Sequence, residues 1–482
     1  MQQISTLEPT IVWEIFQSIT QVPRPSMKEG KILAWLKEFA KSHALSCKQD
    51  AAGNILISAP ATAGRENSPH VTLQAHVDMV CEKDSDVEFD FESDPIKTRI
   101  EGDWVTAVGT TLGADCGIGM AAALAALIDP TYEHGAISAL FTVNEEVGLT
   151  GAFELGEGMI DGKLLINLDS EEEGEICIGC AGGIDTVATF TYEEEEAPAD
   201  FSFFRVDISG LLGGHSGQDI NAGRANANIL LARLMGEAMS RYNMHLSYMS
   251  GGNLRNAIPR EAYAIFGIPS RFEVEFRERV DLFRDEIADE FGVTEPDFAL
   301  SLGDMPRVKV IDKASQEGVI YSMLGLPNGV IAMSAVMDNM VETSTNLASV
   351  RFEDRNTIVV VTSQRSSKES AKAYVMQSVE SVFKLAGADV THSDGYPGWS
   401  PNPDSKLLEL TKASYKSLYG EDPNVGAVHA GLECGLFLEN NPNLDMVSFG
   451  PTMSGVHSPD ERVCIPSVAN FWKLLKELLS RI

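Results

Sequence analysis

Histidines and carboxylates recur in this chain at the ends of short apolar runs. His76 and Asp78 follow VTLQA in the run HVDMV, Asp115 stands in LGADCGIG, Glu145 and Glu146 follow ALFTV after Asn144, Asp169 follows LLINL, and His457 lies in FGPTMSGVHSPDE. In an extended segment, residues two apart share a face, so the Asp78 carboxylate can orient the His76 imidazole. Taken alone, His76 reads equally well as a hydrogen-bonded core histidine. Adjacent carboxylates such as Glu145 and Glu146 are costly to desolvate unless a cation or water compensates them, a solvated or salt-bridged pair being the plain alternative. Two imidazoles with carboxylates suit zinc, cobalt or manganese, whereas an all-oxygen cage suits magnesium or calcium. His76, Asp115, Glu146, Asp169 and His457 together exceed what one tetrahedral zinc uses, so two metals sharing a bridging carboxylate is the economical reading.

The elements around these residues must bring them to one place. Residues 10–20 and 27–42 carry apolar side chains at helical spacing, with VPRPS breaking the chain between them. NILIS, VTLQA, ALFTV and LLINL read as strands, and the small-residue stretch after LGADCGIG reads as a helix from about Gly117. Strands alternating with helices argue for an α/β domain with a central, mostly parallel sheet, whose strand ends are where such sheets place ligands. From about Asp185 the texture shifts to alternating strands such as TVATFTY and amphipathic helices at 222–241, 270–292 and 368–386. This predicts an α+β insertion over 188–396, long enough for two βαββαβ-like units, inside a catalytic domain of 1–187 and 397–482. EEEEAPAD at 193–200 is expected as an exposed acidic turn.

Composition narrows the classes. The 482 residues carry 70 acidic and 37 basic side chains, a formal charge of −33, which argues against nucleic acid and anionic membranes as partners. No stretch matches a membrane-spanning helix, and the N-terminal region lacks a basic segment ahead of an apolar core, so a cytoplasmic protein is expected. Seven scattered cysteines fit a reducing compartment.

The runs HVDMV, LGADCGIG, NEEVGLTGA, NLDSEE and GPTMSGVHSP resemble the metal-site motifs of the two-zinc dipeptidase, aminoacylase and carboxypeptidase family, and GGNLRNAIPREA and HAGLECG extend the likeness over nearly the whole chain. The likeness is greatest to members that cleave dipeptides ending in histidine. It implies two Zn²⁺, replaceable by Co²⁺ or Mn²⁺: one on His76 and Asp169, one on Glu146 and His457, with Asp115 bridging. It implies Glu145 as general base toward the attacking water and Asp78 as the group fixing His76. It further implies an inserted lid that makes a homodimer and supplies His215 from GGHSG for the oxyanion, with Asn256 from NAIP and Arg365 from TSQRS for the substrate. A turn role for His215 and a surface salt bridge for Arg365 are the plain alternatives. An aminoacylase, a broader aminopeptidase and a non-catalytic metal-binding protein are the competing functions.

Weaker signals remain. Cys177 and Cys180 have the spacing of half a zinc site, but no second such pair exists, so two buried thiols are expected. His429 and Glu433, four apart, would share a face if HAGLECG is helical, which makes them the main rivals for metal binding, although contacts behind the ligands or to substrate are the preferred reading. No strand-to-helix GxGxxG fingerprint signals a dinucleotide.

Overall fold

The computed structural model of the chain describes residues 3–482. One compact unit runs to Gly179 and resumes over Pro401–Ala427 and Glu433–Ile482; the other comprises Cys180–Ser400 with Val428–Leu432. The second unit contains the span 188–396 and reaches past both of its ends. Its strand Gly182–Thr191 starts before residue 188, and bridges Cys180↔Trp399 and Gly183↔Tyr396 tie the two crossings. Val428–Leu432 joins it because the Ala181 amide donates to the carbonyls of Val428 and Ala430.

The first unit is built on an eight-stranded sheet. At its centre Ile137–Thr142, Val71–His76, Leu164–Asn167 and Asp445–Ser448 lie side by side and parallel. Ser46–Gln49 and Ile55–Ala59 add antiparallel strands at one margin, and Glu175–Cys180 runs antiparallel to Asp445–Ser448 toward the other. All six residues of Val71–His76 and of Ile137–Thr142 are buried, as in parallel sheets covered on both faces. The helix Ala114–Ile128 is buried from Ala114 to Leu127, which its alanines and glycines permit. Parallel register pairs His76 with Thr142, Gln74 with Asn167 and Asn167 with Ser448. The loops after these strands therefore leave the sheet at one edge. The last helix, Ile465–Arg481, has proline in its first turn and buries Val468, Phe471, Trp472, Leu475, Leu478 and Leu479 as one stripe.

The second unit carries a nine-stranded sheet whose observed pairings are all antiparallel. Four strands in the order Ala299–Met305, Phe201–Ser209, Ala262–Pro269, His245–Gly251 meet a second set, Val341–Glu353, Thr357–Ser366, Gly182–Thr191, Asp389–His392, through the pair Gly251↔Val350. The two expected βαββαβ-like units are thus halves of a single sheet, joined where separate units would each expose an edge. The helices Ala227–Tyr242, Glu273–Phe291 and Glu369–Leu385 match the amphipathic stretches, and Asn226 caps the first by accepting from the Asn228 and Ile229 amides. A further helix, Lys313–Gly325, buries Val319, Ile320 and Met323. The acidic run holds a short strand, Glu194–Glu195, paired with Val310–Ile311, and buries Ala197, so it is more than an exposed turn. Among the described residues no helix is long and apolar enough to cross a membrane.

Candidate functional site

At the carboxyl edge of the central sheet the expected ligands converge. His76 Nε2 lies 3.0 Å from Asp115 Oδ1 and 3.4 Å from Asp169 Oδ1. His457 Nε2 lies 3.1 Å from Asp115 Oδ2 and 3.0 Å from Glu146 Oε2. The two oxygens of Asp115 therefore face different imidazoles. Ligand-type atoms of His76, Glu145 and Glu146, and of Asp115, Glu146 and His457, lie within 4.8 Å of one another in each set; His76, Cys116 and Asp169 form a third. Glu146 Oε1 is buried and makes no hydrogen bond among the described residues, an open acceptor that a cation would satisfy. This donor set fits divalent metal ions of the zinc type.

Local backbone makes the convergence possible. Gly113 has φ +69°, and Asp115 (φ −79°, ψ 115°) has non-helical backbone at the start of the helix. His457 itself has φ +63°, in the left-handed region that few non-glycine residues adopt. Asp78 holds two parts of the cluster together. Its Oδ1 lies 3.4 Å from His76 Nδ1, and its carboxylate accepts from Ser26 Oγ at 2.8 Å and from the Glu145 and Glu146 amides at 3.0 and 3.2 Å.

The electrostatics reflect crowded acids. Burial pushes the Asp169 carboxyl up to about 6, offset in part by His76. Burial likewise raises Glu145 well above the ordinary range, His76 opposing and Asp169 and Glu146 adding to the shift. Hydrogen bonds to the Asp115 and Glu146 carboxylates hold His457 up at about 11. Burial disfavours charge on His76, but Asp169, Asp115 and Asp78 together keep its pKa well above the usual value.

The second unit brings together another set. The pairing of Gly214–His215 with Ala257–Ile258, and the bond from Ser216 N to Asn256 O at 2.8 Å, set His215 beside Asn256. His215 Nδ1 accepts from the Gly217 and Gln218 amides at 3.3 and 3.0 Å, which leaves the neutral ring's proton on Nε2. Burial, then the Arg365 charge, lowers His215 to about 4. Arg365 is 6% exposed; Nη1 donates to Tyr396 Oη at 2.9 Å, Nε has no acceptor, and no carboxylate pairs with it among the described residues. This is not the surface salt bridge of the plain alternative. His429 is buried with Nε2 2.7 Å from Ser344 Oγ and Nδ1 unpartnered, and burial, then Arg365 and His215, brings it to about 4. Gly217 is required here, since a Cβ would lie 2.0 Å from the His429 carbonyl oxygen.

Residues 429–433 are not helical: the helix begins only at Cys434, and His429 and Glu433 belong to different units. The condition for a shared helix face is not met, and among the described residues neither joins a set of close ligand atoms. Glu433 instead accepts from Gln74 Nε2 at 2.6 Å and Thr142 Oγ1 at 2.7 Å, and burial raises it to about 8. Cys177 and Cys180 are both buried in one strand. Sequence reasoning missed Tyr396, Ser344, Arg24 and Glu461. Of these only Glu461 carried a signal, as an acid four residues beyond His457.

The chain belongs to the peptidase family M20/M25/M40, whose model matches residues 72–481. It is 43% identical to the cytosol non-specific dipeptidase of Escherichia coli (strain K12), over 100% of this chain and 99% of that protein. The crystal structure of aminoacylhistidine dipeptidase from Vibrio alginolyticus superposes with a TM-score of 0.91 at 42% identity, covering 100% of this chain and 98% of that one. The aminopeptidase PepT of Bacillus cereus, 15% identical with a TM-score of 0.58 over 98% of each chain, shares the fold.

Proposed function

We propose that this metallopeptidase hydrolyses dipeptides, preferring histidine in the second position and accepting β-Ala-His, in the cytosol. The observation that carries the reading is the division of the two Asp115 oxygens between His76 and His457. In it His76 and Asp169 would hold one ion and Glu146 and His457 the other, with Asp115 available to both. Zinc is proposed, with cobalt or manganese able to replace it, because the donors are imidazole and carboxylate. Bound divalent cations supply Lewis acidity toward a carbonyl oxygen and toward water. Glu145 takes the proton of the attacking water and delivers it to the leaving amine. Asp78 fixes the His76 ring and, through two amide bonds, the turn that carries Glu145. His215 donates from Nε2 to the oxyanion, Arg365 binds the free α-carboxylate, and Asn256 contacts the substrate beside His215.

The names of the two full-length relatives support the substrate class, and the unpaired Arg365 cation supports a short substrate ending in a carboxylate. A homodimer through the second unit completes the reading. The test is kcat/KM for Ala-His, β-Ala-His, Ala-Ala, Ala-Ala-His and N-acetyl amino acids, with zinc or cobalt and after chelation. Ala-His and β-Ala-His should be cleaved best and chelation should abolish turnover. Faster cleavage of acetyl amino acids would make the protein an aminoacylase, and equal rates on Ala-Ala-His would remove the carboxylate clamp.

A further inference from the structure

Two buried charges outside the ligand cluster close on the loop that carries Asp115. Glu461, 2% exposed, accepts from four consecutive amides: Leu112 N at 2.7 Å and Gly113 N at 2.9 Å on Oε2, Ala114 N at 2.7 Å and Asp115 N at 3.3 Å on Oε1. These amides stand at the start of a helix, where no intrahelical acceptor exists for them. From the other side Arg24, also 2% exposed, donates to the carbonyls of Val77 at 3.0 Å and Asp78 at 2.9 Å, and to that of Gly113. Two glycines make its room: a Cβ on Gly113 would lie 2.5 Å from Arg24 Nη2, and one on Gly117 2.7 Å from it. The Glu461 backbone is anchored by Thr106 Oγ1 at 2.9 Å and sits in the turn that follows His457, its amide bonding to Ser458 O at 3.0 Å.

We infer that Arg24 and Glu461 are positioning residues, a two-sided clamp that presets Asp115 between the imidazoles of His76 and His457 and so sets the affinity for both metal ions at once. Glu461 ties the Asp115 loop to the His457 turn, while Arg24 ties it to the strand end that carries His76 and Asp78. One carboxylate with an oxygen for each imidazole tolerates little displacement, because moving its backbone withdraws it from at least one partner. Groups behind a ligand commonly change metal affinity by roughly 10–100-fold. The inference rests on the proposed bridging role of Asp115.

The test is zinc affinity and stoichiometry of the full-length protein, by competition with a chromophoric chelator, for wild type, Glu461→Gln, Arg24→Lys, Gly117→Ala and Asp115→Ala. Glu461→Gln keeps the volume but can accept at one atom only, stranding two of the four amides. The expected result is zinc binding weakened about 10–100-fold at both sites together, with an altered cobalt absorption spectrum and a smaller zinc-induced rise in melting temperature. Wild-type zinc affinity in the clamp variants, with only the metal-free melting temperature lowered, would make the pair merely structural and overturn the inference. If Glu461→Gln does not fold, Arg24→Lys and Gly117→Ala decide by the same readout. Retention of two tightly held zinc ions in Asp115→Ala would instead refute the bridge, a failure distinct from that of the clamp.

Discussion

Replacing Arg365 by methionine should weaken substrate binding without weakening the fold. The guanidinium is 6% exposed, donates one hydrogen bond to Tyr396 Oη, leaves Nε without an acceptor and has no carboxylate partner among the described residues. Losing a neutral-acceptor hydrogen bond costs about 1 kcal/mol, whereas an uncompensated buried charge costs several kcal/mol. Arg365→Met should therefore unfold in urea at a concentration no lower than wild type. Binding should move the other way. A substrate carboxylate would lose at least one charge-assisted hydrogen bond, about 1.5–3 kcal/mol, which is roughly a 10- to 150-fold rise in KM. Arg365→Lys keeps the charge without the planar fork and should fall between the two. Steady-state kinetics on Ala-His, with urea unfolding of the same preparations, checks both halves. An unchanged KM in a folded Arg365→Met protein would refute the clamp, and an unfolding midpoint well below wild type would show that the cation has a structural counterpart.

Glu145→Ala should lose turnover while elemental analysis still finds the full metal complement, and loss of one equivalent would reassign the residue as a ligand. His215→Ala should lower kcat by about 10²–10³ with a far smaller change in KM, and a pure KM effect would make it a substrate-positioning group. Mixing His215→Ala with Glu145→Ala subunits restores partial activity only if the histidine acts across a dimer. His429, held at about 4 against an ordinary 6.5, binds its proton more readily in the unfolded chain between those values. Stability should therefore fall as pH drops from about 6.5 to about 4, and His429→Gln should flatten part of that slope in urea midpoints, an unchanged slope refuting the assignment.

His76, Glu145, Glu146, Asp169 and His457 share one property that made them legible: each stands at or just after the end of a strand whose own residues announce it, whereas Asp115 was placed by the glycine-bearing turn before its helix. VTLQA, ALFTV and LLINL are apolar enough to predict strands, and both faces of Val71–His76 and Ile137–Thr142 are indeed buried, so the loops after them had to emerge together. His457 was legible for the same reason, through MVSFG. The residues that escaped depend on contacts far away in the chain. Arg24 lies in VPRPS, where flanking prolines mark a break and a lone arginine reads as solvated. Its burial comes from glycines 113 and 117, about ninety positions on, and no local pattern announces such a pairing.

The conditional helix face of His429 and Glu433 is absent for the opposite reason, since a spacing of four is a helical signal only if the backbone between is helical. Gly431 lies between them in a non-helical stretch. A Cβ there would lie 2.9 Å from the Tyr396 ring, so this glycine serves close packing. Glycine is permitted both in a weak helix and in a loop that must approach another chain segment, and composition cannot separate the two. The same ambiguity hid the helix Lys313–Gly325, whose glycines at 318 and 325 dilute the stripe of Val319, Ile320 and Met323. In both cases the partner across the contact decides: Gly318 faces the Ala386 carbonyl at 2.6 Å from a would-be Cβ, a close approach that exists only once the sheet and its helices have assembled.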